Sequence, residues 1–130
     1  MNWIGLAAAL SAFLGIWLGH VAVRKIEFIS PTIWLPTLGF ALLGCTLEWF
    51  SLSTFNLPLS TTLGILGITF LWDALEFTRQ QKRIKKGHAP ANPNNPRHAR
   101  ILTNYPSATT VDLLKPTVIH EAHEAHEGKP

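Results

Sequence analysis

Three long runs of apolar residues fill the first 77 positions of the chain, and none of them has a polar face. The first, "MNWIGLAAALSAFLGIWLGHVAV", holds no side chain with a fixed charge. The second is "IWLPTLGFALLGCTLEWFSL" and the third "LPLSTTLGILGITFLWDALEF". Each is about as long as the ~20 residues that carry an α-helix across a bilayer. A helix that is apolar on all sides belongs in lipid or at the centre of a large protein. A chain of 130 residues is too short for the latter. Strict alternation is absent, which excludes a transmembrane β-barrel. The pattern therefore predicts an all-α integral membrane protein with three transmembrane helices, at about 3–23, 33–52 and 57–77.

Local signals place the ends of these helices. Pro31 and Pro36 fall before and within the first turn of the second helix, where a missing N–H costs least. Asn56 is a candidate N-cap for the third. That helix should run on to about 86, with Gly87 as its stop and Pro90 shortly after. The stretch "HAPANPNNPRH" is turn-rich and predicts an irregular linker. The chain thus divides into a three-span membrane domain, 1–87, and a segment 88–130 that joins this linker to a largely irregular, polar, His/Glu-rich tail.

Composition and charge sharpen the picture. Hydrophobic residues make up 47% and charged residues 15% of the chain, against roughly 25% charged in soluble domains. Apart from His20 and Cys45, the only ionisable side chains up to Phe77 are Arg24, Lys25, Glu27, Glu48, Asp73 and Glu76. A removed signal peptide fits poorly, because the cations follow the first apolar run instead of preceding it. Arg24 and Lys25 lie in the first loop, the second loop is uncharged, and five cations follow the third span. Cations stay on the cytoplasmic side, so the N-terminus is expected outside and the C-terminus in the cytoplasm. Trp3 and Trp49 then belong to one interfacial belt, and Trp34 and Trp72 to the other.

Few groups in the membrane domain carry chemistry. The topology brings His20, Asp73 and Glu76 to one depth beside Arg24 and Lys25. They read either as an interfacial cluster that sets helix register or as a proton- or ligand-responsive site built on His20. Glu48 lies near the outer end of the second span. It either extends to the headgroups or is a functional intramembrane carboxylate. Ala7, Ser11, Gly15 and Gly19 form a small-residue groove with a GxxxG match. Ser60, Gly64 and Gly67 make a weaker ridge on the third span, and the two ridges are candidates to meet within one subunit or between subunits. Arg79, Lys82, Arg83 and Lys86 share one helical face, which reads either as a topology determinant with no further role or as a cluster that attracts anionic lipid at about 1 kcal/mol per cation near the surface.

Other signals change little. "LLGC" resembles a lipoprotein processing site, but a complete span precedes it, and Cys45 reads as a small packing residue. His120, His123 and His126 repeat every three residues, whereas a zincin helix needs HExxH. The repeat therefore reads as a solvated tail, and no metal site or cofactor is expected. No nucleophile triad or phosphate loop occurs, so the sequence predicts no enzyme. The tail cations lack interleaved aromatics, which argues against nucleic acid.

Several of these residues form a larger pattern. His20, then "V-R-K-x-E" from Val23 to Glu27, "LGILGITFLW" from Leu63 to Trp72, and "E-x-x-x-Q-x-x-R-x-x-K-G-x-x-P-x-N-P" from Glu76 to Pro93 resemble the small bacterial membrane-protein family known as domain of unknown function 4491. The resemblance implies a multi-pass protein of the bacterial inner membrane and supplies no biochemical role. The residues suggest two roles. One is a structural or accessory subunit that binds other membrane helices, or itself, through the groove of the first span. The other is a homo-oligomeric transport element for an ion or small solute, lined by Glu48 and the His20 cluster.

Overall fold

The structure, a computed structural model, describes residues 3–113. His120, His123 and His126 lie outside the described residues. Four helices follow one another: α1 (Trp3–Ile29), α2 (Trp34–Ser53), α3 (Leu57–Lys85) and α4 (Pro96–Asn104). There is no strand among the described residues, and α1, α2 and α3 are each long and apolar enough to cross a membrane.

The helix ends follow from local chemistry. α1 continues six residues past Val23, because nothing breaks it before Pro31. Arg24 and Lys25 therefore sit on the helix and not in a loop. The Asn56 side chain accepts the Leu59 N–H at 3.1 Å, which caps α3 as its position suggests. At the other end Gly87 takes a positive φ of 74°. Its N–H reaches Ile84 O at 3.0 Å, and the His88 N–H reaches Arg83 O at 2.9 Å. That pair of bonds is a Schellman stop. With 29 residues, α3 is about 43 Å long and must project beyond a ~30 Å hydrocarbon core.

α3 lies between the other two spans, which hardly touch each other. Small residues set both contacts. On one side, a Cβ at Gly15 would meet Leu66 and Thr69, and one at Gly19 would collide with the Asp73 carboxylate. α1 and α3 therefore run parallel at close approach. On the other side, Gly44 of α2 meets Leu71 and the Gly67 carbonyl, while Gly67 meets Glu48 and Gly64 meets Ser51. The Ser51 and Ser60 hydroxyls each donate to the other's backbone carbonyl at 2.8 Å, stapling the antiparallel α2–α3 hairpin. The two small-residue ridges do not meet: the α1 groove takes the larger side chains of α3, and the α3 ridge takes α2. Cys45 is exposed.

The segment after α3 differs from the irregular linker its composition suggests. It turns at Gly87, runs back along α3 and forms α4, with Asn95 as N-cap and Pro96 at the first helical position. Ile84, Ala89, Ala91 and Ile101 bury one another in a small core beyond the apolar spans. The Ala91 N–H bonds to Thr109 O at 2.8 Å and closes the loop around it.

Candidate functional site

The return segment is held to the end of α1 by a clasp. Asn92 Nδ2 donates to Phe28 O at 3.1 Å, and Asn95 Nδ2 donates to Phe28 O at 3.1 Å and to Ser30 O at 2.8 Å. Arg97 donates to Glu27 O at 2.7 Å and to the Glu27 carboxylate at 2.8 Å. These donors satisfy carbonyls that the last turn of a helix leaves free. Glu27 and His98 are fully buried at the centre of the clasp. The Asn92 N–H points at His98 Nδ1 at 2.9 Å. A backbone N–H can only donate, so Nδ1 must accept and the ring proton sits on Nε2. Nε2 then donates to Glu27 Oε1 at 3.1 Å, which makes the 3.0 Å approach of Arg97 Nη2 to the same nitrogen a contact between two donors and not a hydrogen bond. One carboxylate thus collects a charged and a neutral donor.

Beside the clasp opens a cavity of about 850 Å³, walled by the end of α1, the projecting part of α3 and the return segment. Its two inner carboxylates already have partners. Glu27 is held as described, and Glu76 accepts Arg83 at 2.7 Å and Arg79 at 3.4 Å. Arg83 also donates to Gln80 Oε1 at 3.0 Å. Arg24 and Lys25 line the same cavity and have no ion-pair or hydrogen-bond partner among the described residues. Asp112 contributes an acid to the far wall.

The family model described as Domain of unknown function (DUF4491) matches residues 2–95. The chain belongs to this family. The V-R-K-x-E stretch of α1, together with Glu76, Gln80, Arg83, Pro90 and Pro93, lines this one cavity of the DUF4491 chain. Residues that lie scattered in the sequence motif therefore share a single wall. No curated protein and no solved structure matches the chain.

The other residues singled out from sequence are distributed as follows. His20 is exposed and lines the cavity, but no hydrogen bond joins it to Asp73 or Glu76. Gly19 abuts the buried Asp73 carboxylate, and His20 is near enough to act on it electrostatically; Asp73 Oδ2 has no hydrogen-bond partner among the described residues. Glu48 turns inward to the backbone of Gly67 instead of out to headgroups, and its buried Oε1 also lacks a partner among the described residues. Gly67 lies about 15 Å along α3 from Leu57, half of a ~30 Å core. Ala7 is half-buried, whereas Ser11 and Gly19 are buried in the α1–α3 contact. Within the basic face, Arg79 stacks over Trp72 at 4.4 Å and pairs with Glu76, while Lys82 and Lys86 are exposed.

Sequence reading missed the clasp. Asn92, Asn95, Arg97 and His98 fell in the supposed linker, and Glu27 drew no attention beyond its place in the motif. One local signal was available: Asn95-Pro96 is an N-cap followed by a proline at the first helical position, a standard helix start.

Proposed function

We propose that this small membrane protein is an accessory subunit of a larger assembly in the bacterial cytoplasmic membrane, oriented with its N-terminus outside and C-terminus in the cytoplasm. The observation that supports the reading is the thinness of the fold. α2 buries only Gly44 and Ser51, and its opposite side, including Leu38, Leu42 and Leu52, is open. Helices associate in lipid through packing, because the tails compete equally for apolar surface. A span held along one narrow face favours a second protein neighbour on the other. Gly15 and Gly19 of the α1 groove already pack on α3 of the same chain, so the partner surface moves from α1 to the outer face of α2. A photo-crosslinking residue at Leu42 should give a discrete protein adduct in native membranes. Adducts to lipid alone would argue against a subunit role.

The placement of Glu48 favours a second reading, transport by an oligomer. An unpartnered carboxylate at mid-depth is costly to keep and is a feature of ion and proton paths. Proton flux in vesicles containing this protein alone, lost in Glu48→Gln with the fold retained, would replace the accessory reading with this one.

A further inference from the structure

A second cavity, of about 580 Å³, lies between α1 and Phe40 of α2, with α3 as its floor. It shares no lining residue with the interfacial cavity and is a separate cleft. Its volume is within the ~300–1,000 Å³ of small-molecule sites. Thr62, Leu66, Thr69 and Asp73 line it from α3 at i, i+4, i+7 and i+11, a single helical stripe. Leu10, Leu14 and Leu18 line it from α1 and are exposed, so the cleft opens sideways to the surroundings of the spans. Each hydroxyl in it donates back to its own helix: Ser11 to Ala7 O at 2.6 Å, Thr62 to Pro58 O at 2.9 Å and Thr69 to Ile65 O at 2.7 Å.

Asp73 is the one ionisable group among the described lining residues. It is 2% exposed, and its Oδ2 has no hydrogen-bond donor among the described residues. Of the two groups that act on it electrostatically, His20 lines the other cavity and Glu76 is itself negative. A buried carboxylate left in this way favours a ligand that brings both a donor and a positive charge. Phe70, one helical turn before Asp73, lines the same cleft and meets Phe40 edge to face at 5.4 Å. Aromatic rings attract a cation through their π faces. The cation–π contacts of the described residues lie elsewhere, on Trp72 and Tyr105. Depth agrees with this chemistry. Asp73 lies about 24 Å along α3 from Leu57, near the end of a ~30 Å core. A charge held there stays close to the interface, while the cleft leads back towards mid-bilayer.

We propose that this cleft binds a lipophilic ammonium, a protonated amine on an apolar body, taken up from the surrounding membrane. An N–H of the ammonium donates to the Asp73 carboxylate, and Phe40 and Phe70 flank the charge. The apolar body lies between α1 and α3 towards Ala7. An anion would find no cation in this lining, and a metal ion would find only one carboxylate. The inference rests on membrane placement and not on the subunit role or on Glu48.

The test is binding of radiolabelled dodecylamine, protonated at neutral pH, to the full chain in phosphatidylcholine nanodiscs, with empty nanodiscs as the baseline. One saturable site per chain should appear above that baseline. Dodecanol keeps the apolar chain and a donor but carries no charge, and should compete about tenfold more weakly. Asp73→Asn should lower the affinity about tenfold, because it removes the charge the ammonium pairs with. Leu14→Trp, which fills the cleft, should lower it by a similar factor. Ile16→Trp, at an exposed position of α1 outside the cleft, should leave it unchanged. Circular dichroism identifies the variants that keep the fold. Absence of a saturable site, equal competition by dodecanol, an equal loss from Ile16→Trp, or indifference to Asp73→Asn or Leu14→Trp in a folded protein would each overturn the proposal.

Discussion

Glu27 shows how one buried charge organises a segment far away in sequence. A carboxylate removed from water is costly unless donors reach it, and here Arg97 and His98 both donate to its Oε1 from α4. Removing one partner of such a pair costs about 3–5 kcal/mol, because the remaining charge stays buried. Arg97→Met should therefore undock the return segment, with loss nearer about 3 kcal/mol since His98 still donates. Hydrogen exchange should accelerate across α4 while the spans stay protected. Unchanged protection of α4 would show that the clasp does not hold it. Glu27→Leu combined with Arg97→Met should cost less than the single change, because no unpaired charge remains.

At the scale of elements, glycines decide which helices touch. Gly44 lies where α2 crosses α3, and a Cβ there would come within 2.7 Å of Leu71 and 2.9 Å of the Gly67 carbonyl. Backbone cannot yield as a side-chain tip does. Gly44→Ala should therefore destabilise the hairpin by about 1–3 kcal/mol, the usual cost of overpacking. Gly39, on the same helix, has nothing within 4 Å of a built Cβ. Gly39→Ala should be neutral or stabilise by up to ~1 kcal/mol through helix propensity. Denaturant unfolding in one detergent compares the two directly. Equal effects would mean that the α2–α3 crossing is not tight. The spans themselves were legible as apolar runs, because a length near 20 residues that is apolar on all sides and carries few charges has one stable solution in lipid. The identity of their neighbours was not, since Ser60, Gly64 and Gly67 fit another helix of small residues as well as they fit α2.

For the whole molecule, the cations gathered at one end of the spans, Arg24 and Lys25 on α1 and the basic end of α3, against an uncharged α2–α3 connection lead to a prediction of orientation. A membrane-impermeant thiol reagent should label a cysteine at Ser53 in intact cells, and one at Asn94 only after the membrane is opened. Both positions are exposed, and the native Cys45 is replaced by Ala first because it too is exposed. Labelling at Asn94 in intact cells would reverse the orientation. The same experiment fixes which leaflet faces the interfacial cavity, since Arg24 and the return segment wall it together.

Much about this protein follows from composition and spacing alone: three spans, the caps at Asn56 and Gly87, and membership of a family recognised by residues in α1 and α3. These are local properties, set by the solvent around each segment and by backbone chemistry within a few residues. The clasp, the inward turn of Glu48 and the cavity shared by α1, α3 and the return segment were decided by tertiary structure. Glu27 and Arg97 are distant in the chain, and a pairing at that range leaves no periodic trace for a reader of sequence to follow. Asn-rich and Pro-rich composition looks like a linker because its side chains compete with the backbone for hydrogen bonds. Here the end of α1 supplies other partners, carbonyls that its own last turn leaves free, and the segment folds onto them.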